Sequence, residues 1–357
     1  YGEALDTLYT DTNIYTLQVN ASPAPRVRLD NTAPDASRPA PVSYLETLVV
    51  NRQLGYAVNS PSADKWYDTE MLVYKTAKNW SYSFVVDALA NEGSGAELEV
   101  VLWGGTDWPQ SPDHHVVVFL NGVQLADELF DGLAEKRVRM VLPTGLLREG
   151  TNTLTLQMPG DTGVMGEIIQ LDSIRVYYAR KMIARDGHLS FIAEGENLSV
   201  SGLPENNVIV YRLLEGGVPV RIQSVLVDVD VDGNGYSARF MSQTTAATAY
   251  VVTSESALLK PQLEAVRLKV DIEKRADYLI IAHPNFISGL APLVAARRAE
   301  GLSVSVVDVN DLYAQYSHGI FDPHAIRAYI QYAAKNLGVK CILLVGGDTY
   351  DYRNYLG

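Results

Sequence analysis

A single cysteine, Cys341, serves the whole chain. One thiol cannot build a disulfide framework, and a cysteine-based zinc cluster needs several such ligands. That fits a cytoplasmic protein, or a secreted bacterial protein that does without disulfides. No apolar run approaches the ~20 residues of a membrane-spanning helix. Basic residues are scarce: 29 Lys and Arg stand against 42 Asp and Glu, a formal net charge of −13. This balance argues against nucleic acid, whose phosphates need a basic surface, and against an anionic membrane face. No leader peptide opens the chain and Tyr1 is not a natural start, so the sequence is expected to begin inside a longer protein. Apolar residues are plentiful at 47%, enough for ordinary cores in two or three domains.

Residues 1–43 hold one strand-like patch, Asn13–Val19, and then a linker or surface arm rich in proline, with Pro23, Pro25, Pro34, Pro39 and Pro41. Proline fixes φ and removes a backbone donor, which disfavours regular structure there. Residues 44–180 have an all-β texture of short apolar runs between turn residues: Tyr82–Val86, Leu98–Trp103, Val116–Leu120, Arg137–Leu142, Leu154–Met158 and Ile174–Tyr178. Asn121-Gly122 predicts a tight hairpin because both residues tolerate φ > 0, and Gly150-Thr151-Asn152 predicts another turn. The pattern implies a two-sheet antiparallel sandwich. Residues 181–256 repeat it on a smaller scale, with strands at Leu198–Val200, Val208–Leu213, Val220–Val231, Tyr236–Met241 and Ala249–Val252. A small immunoglobulin-like sandwich is the simplest arrangement of them. Residues 257–276 read as a linker.

The texture changes in residues 277–357. Tyr278–Ala282, Val304–Val309 and Cys341–Val345 are apolar runs of the kind buried in a parallel sheet. Between them lie helical patterns: Phe286 to Arg297 closed by Gly301, then Ile326, Ile330, Ala333 and Leu337 closed by Gly338. Asp322-Pro323 is a helix start, an acid to accept orphan N–H groups followed by proline at the first helical position. This alternation predicts a β-α-β-α-β unit. A third apolar strand left at a sheet edge would expose backbone and apolar surface, so more sheet is expected to follow in the full-length protein.

Several stretches resemble the gingipain family of cysteine peptidases. They run in order as Tyr278-Leu-Ile-Ile-Ala-His283, Leu290-Ala-Pro-Leu293, Gly301, Val306-Val-Asp-Val309, Asp311-Leu-Tyr313, Gly319-Ile-Phe-Asp-Pro323, Ala325-Ile-Arg327 and Leu344-Val-Gly-Gly-Asp348. The order constrains more than any one piece. Upstream, Asp11-Thr-Asn-Ile-Tyr15, Asp64-Lys-Trp-Tyr67, Phe119-Leu-Asn-Gly122, Leu147-Arg-Glu-Gly-Thr-Asn152 and Leu171-Asp-Ser-Ile174 are similar to that family's accessory regions, with a galactose-binding-like jelly roll ahead of the peptidase. The resemblance implies a multidomain, secreted or cell-surface bacterial protein whose last region is the first half of a caspase-like α/β peptidase domain. It implies protein or peptide substrates and a Cys–His pair in which a thiolate attacks the carbonyl. Both catalytic residues are expected beyond residue 357, so no catalytic residue is assigned here and this chain alone is expected to be inactive.

Candidate site residues follow from position. His283, Asp348 and Asp351 are expected at the strand ends, where open α/β sheets keep their chemistry. The bland alternatives are a loop histidine and a surface turn beside Tyr350, Tyr352 and Tyr355. Cys341 is expected to be a buried structural thiol. Trp103, Trp108, Asp113 and His114, with His115, surround one loop of the large sandwich and could stack on and hydrogen-bond a glycan; packing against the body is the alternative. Asp228, Asp230 and Asp232 imitate the start of a calcium loop, but Arg239 stands where a bidentate Glu is required, and a solvated strand face competes. Calcium is the one metal weighed. The rival function is a carbohydrate- or surface-binding module carrying a vestigial α/β scaffold. A dinucleotide-binding domain is disfavoured because no Gly-x-Gly-x-x-Gly follows the first strand of the last region.

Overall fold

The computed structural model describes residues 6–17, 26–35, 37–60, 64–230, 233–242, 246–347 and 349–357. Two compact units emerge, Pro25–Lys260 and a discontinuous one of Tyr1–Ala24 with Pro261–Gly357.

The Pro25–Lys260 unit is built of strands. After β1 (Arg28–Asp30), a first body contains β2 (Ser43–Val50), β3 (Gly55–Tyr56), β4 (Trp66–Tyr67), β5 (Thr69–Val73), β6 (Lys78–Val86), β7 (Glu97–Gly104), β8 (His114–Leu120), β9 (Val123–Phe130), β10 (Glu135–Val141), β11 (Gly150–Met158) and β12 (Glu167–Lys181). One sheet runs β10-β7-β12-β2 with β5 also on β12, and a second runs β6-β11-β8-β9. Alternate residues of both enter one core: Leu98, Val100 and Leu102 from one sheet, Val116, Val118, Leu120, Leu154 and Leu156 from the other. Period-2 patterning with one buried face is what a strand in such a body requires.

Turn chemistry fixes the register. Asn121 and Gly122 both have positive φ, 50° and 83°, and join β8 to β9 as a two-residue hairpin. Asn121 also donates to Leu146 O and to Asn152 Oδ1, each at 2.8 Å, and accepts from Thr153 N at 2.9 Å. Asn152 is fully buried and closes its own turn, accepting from Arg148 N and donating to Arg148 O and Gly150 O. The expected turn at Gly150–Asn152 therefore moves upstream: β11 already starts at Gly150, and the Asn152 side chain holds residues 148–150.

A second body follows. It contains β13 (His188–Ala193), β14 (Asn197–Leu203), β15 (Val208–Leu213), β16 (Pro219–Ile222), β17 (Leu226–Val229), β18 (Tyr236–Met241) and β19 (Thr248–Ser254). Its sheets are β1-β16-β15-β19-β13 and β14-β18-β17, around a separate core that includes Phe191, Leu198, Val210, Phe240 and Val252. The single strand expected over Val220–Val231 is two strands in different sheets, broken at 223–225. Asn13–Leu17 carries no strand; the arm's strand is β1, paired in parallel with β16.

A buried guanidinium joins the two bodies. Arg180, on β12, bonds Asp87 through Nε and Nη2 (3.3 and 2.9 Å), and Nη1 reaches Tyr44 Oη and Ile183 O (3.2 and 2.9 Å). Arg185 and Arg180 together hold the Asp87 carboxyl well below the usual carboxylate range.

In the other unit, β20 (Tyr278–Ala282) lies between β21 (Val304–Asp308) and β22 (Cys341–Val345), parallel to both. Four helices connect them: α1 (Pro284–Ile287), α2 (Ala291–Ala299), α3 (Val309–Tyr316) and α4 (Pro323–Asn336). Asp322 accepts from His324 N and caps α4, as its sequence predicts. α3 was not expected; Asp308 caps it by accepting from Asn310 N at 2.9 Å. Leu312, Tyr329, Ala333 and Leu337 pack with Leu279, Ile281 and Val307 in the core of this unit. β22 is an edge strand, with Ile342 and Leu344 exposed at 38% and 59%.

Replacing Arg180 with Ala should destabilise the Pro25–Lys260 unit by about 3 kcal/mol. That is the low end for a broken buried pair, because Asp87 keeps Arg185 and solvent. The urea midpoint measures it.

Candidate functional site

Parallel pairing brings the C-terminal ends of β20, β21 and β22 to one edge of their sheet, the edge on which such sheets place ligands. His283 follows β20 there. It is exposed, its N–H donates to Val345 O at 2.9 Å, and its Nδ1 accepts from Asn285 N at 3.3 Å. It is thus a helix cap, with Phe286 edge-on at 6.2 Å. Asp308 ends β21, but its carboxylate caps α3 and pairs with Arg267. Asp351 accepts from Tyr355 N and Leu356 N at 2.8 and 2.9 Å, closing a turn. Asp348 lies outside the described residues.

Cys341 departs from expectation. It is exposed, not buried, because β22 is an edge strand. Register sets it opposite Tyr278, at the N-terminal edge of the sheet, while His283 follows Ala282 at the other end. About five residues of strand rise, roughly 16 Å, separate the two. The chain's one thiol and this imidazole cannot act as a pair.

The first β body brings the proposed glycan residues to one end, and most of their polar atoms are already used. Trp108 donates its indole N–H to Gly166 O at 2.7 Å. Asp113, fully buried, accepts from Trp108 N at 2.9 Å and Gly132 N at 2.8 Å. His114, also fully buried, stacks near Phe130 and places Nε2 3.2 Å from Thr106 O; burial pushes its pKa down. Gly104 makes this packing possible, since a Cβ there would sit 2.0 Å from Gly132 O and 2.5 Å from His114 Nε2. Trp103 is half-buried within β7, opposite Glu135 and Gln170.

Beside them lies a charged group that the sequence did not reveal. His115 is held between Asp161 and Asp127, at 2.7 and 2.8 Å. Burial works against its proton, but the two carboxylates outweigh it and raise its pKa. Beneath, Glu167 is buried and accepts from His115 N at 2.6 Å. Burial, aided by Asp161 and Asp113, pushes its carboxyl up to about 7. These acids stand 12 to 52 residues from His115 in the chain, so no local motif marks them.

At the opposite end, a cleft of about 810 Å³ is lined by Asp87, Glu92, Arg148, Glu149, Arg180 and Lys181, among others. Asp87 is spent on Arg180 and Arg185, and Glu149 accepts from Ala88 N and Leu89 N. No calcium site is assembled among the described candidates. Asp230 accepts from Gly202 N at 3.1 Å and from Ser237, tightening the β17–β18 turn; Asp228 is exposed on β17; and Asp232 lies outside the described residues. Among the described residues, no group of three or more His, Cys, Asp and Glu is arranged to hold a metal ion.

Two measurements test this chemistry. Glu167 binds its proton more tightly folded than at the ordinary value of 4.5. Its stabilising contribution is therefore complete below about 4.5 and is lost as pH rises through about 7. Glu167→Gln should raise the melting temperature at pH 8 by on the order of 4 °C and change little at pH 4.5. Cys341 in folded residues 1–357 should react with a thiol reagent as fast in buffer as in denaturant, within roughly a factor of ten; protection of a hundredfold or more would place it in a covered strand.

Residues 271–356 match the family model of peptidase family C25. Among solved structures, the dimeric latent PorU from Porphyromonas gingivalis aligns with a TM-score of 0.66 and 15% identity, over 92% of this chain and 32% of that chain. The chain thus spans about a third of that protein's length. An FMN-binding β-glucuronidase from Facaelibacterium prausnitzii L2-6 aligns at a TM-score of 0.22 and 11% identity, over 60% of this chain and 35% of that one, too weakly to carry an argument. Comparison with curated proteins found no match. The fold is that seen in PorU, and the relationship carried by residues 271–356 is to the gingipain-type cysteine peptidases of family C25.

Proposed function

We propose that this chain is the leading part of a secreted or cell-surface bacterial cysteine endopeptidase of gingipain type. Its β bodies, a galactose-binding-like jelly roll and a small immunoglobulin-like sandwich, are accessory to the peptidase. The β20–β22 sheet is the start of a caspase-like catalytic domain, and the thiol and imidazole are supplied by polypeptide outside residues 1–357.

The observation that carries this is the three-stranded parallel sheet within the segment that matches the C25 family model. The position of Cys341 supports it: the one thiol sits at the sheet edge away from the strand-end loops. A thiolate peptidase needs its histidine within hydrogen-bond reach to activate the thiol and protonate the leaving amine. Less favours the alternative of a glycan-binding module with a vestigial scaffold, because Trp108 and Asp113 spend their polar atoms inside the body.

Purified residues 1–357 should leave a panel of fluorogenic peptides uncleaved. In the longer polypeptide, hydrolysis should survive Cys341→Ala with kcat/KM unchanged. Cleavage by residues 1–357 alone that disappears in Cys341→Ala would overturn the assignment.

A further inference from the structure

The N-terminal arm, residues 6–17, meets the strand-end loops of its unit through side chains. Arg353, in the loop after β22, pairs with Asp11 at 3.3 Å and with Asp6, and donates to Thr7 O at 3.3 Å. Its guanidinium lies 5.2 Å over the Tyr355 ring. Tyr9 stands edge-on to two rings, Tyr352 at 5.1 Å and His324 at 6.2 Å. Tyr352 continues to Phe321, and Phe321 to Tyr313. Further along, Ile14 covers Gly319, where a Cβ would approach Ile14 Cδ1 to 3.4 Å. The face thus offers a cation, a ring of aromatics and a bare glycine. The arm answers with acid, aromatic, acid and aliphatic at 6, 9, 11 and 14.

This segment has the features of a lodged peptide, not of a piece of the core. None of residues 6–17 lies in a helix or strand, and none is buried. None belongs to the core built around Leu279, Leu312 and Tyr329. Leu17, at its end, is 82% exposed. Segments held by a few partly exposed side-chain contacts open at low free-energy cost.

We infer that the face formed by Arg353, Tyr352, His324, Phe321 and Gly319 is a binding site for extended acidic–aromatic peptides, and that the chain's own arm is its resident occupant. Arg353 reads two acids with one planar guanidinium, a task that suits arginine better than lysine. The aromatic rings select Tyr9 by edge contacts. Because arm and face belong to one chain, the arm acts at high effective concentration and excludes a free peptide of equal intrinsic affinity. The inference is independent of the peptidase assignment, since no thiol or imidazole chemistry enters it.

The experiment uses the full chain and a fluorescent synthetic peptide of residues 6–17, with a scrambled peptide as control, read by anisotropy. A chain whose arm is disabled by Asp6→Ala, Tyr9→Ala and Asp11→Ala should bind the peptide at least tenfold tighter than the unaltered chain. Adding Arg353→Ala to that chain should abolish the gain. Tyr352→Ala gives the same reading through the ring if Arg353→Ala impairs folding. Equal binding to the unaltered and arm-disabled chains, equal binding of the scrambled peptide, or full binding after loss of both Arg353 and Tyr352 would each overturn the proposal.

Discussion

Parallel pairing of β20 with both of its neighbours is the constraint from which the functional argument descends. Ladder partners Ala282, Asp308 and Val345 stand level, so everything that follows them emerges at one edge. His283, the loop after β22 and the start of α4 meet there because the sheet is parallel and its crossovers are helical. The same register condemns Cys341 to the far edge. Bringing it to the other edge would require β22 to slide along its whole length and lose its ladder with β20.

The β bodies follow a different economy. Their cores come from alternation, and their ends are closed by polar side chains that satisfy the backbone. Asn152, Asn121 and Glu149 do this at one end, Asp113 and Glu167 at the other. Stretches that resemble the gingipain-type accessory regions, such as Leu147–Asn152, are thereby explained as turn chemistry and not as ligand contacts. Function rests on grafted sites and not on the sandwich itself. The His115 cluster grips one imidazole between two carboxylates, and the buried acid beneath it costs stability once it ionises.

Legibility tracked range. Strands with clear alternation or short apolar runs were readable: Val208–Leu213, Tyr236–Met241, Tyr278–Ala282 and Cys341–Val345 have the bounds their residues predict. Capping signals worked where they were complete, as at Asp322-Pro323. α3 is hidden in the sequence because Val304–Val309 reads as one strand, although Asp308 also caps the helix. The break at 223–225 escaped because valines continue through it, and only sheet partners distinguish β16 from β17. The exposure of Cys341 is not legible in the sequence, because composition reports how apolar a strand is, not how many of its faces are covered. Asp127, Asp161 and Glu167 were out of reach, since only strand pairing and the loop between β11 and β12 bring them to His115.

The discontinuous unit has a temporal side. Asp11 and its partner Arg353 are 342 residues apart. At about 5–20 residues per second, a ribosome needs on the order of 17–70 s to bridge that span. Both β bodies, complete by Lys260, can fold in the interval, before Arg353 exists to meet the arm's acids. Synthesis therefore delivers the occupant long before its seat, and the nascent arm is open to other cations until the loop after β22 is made.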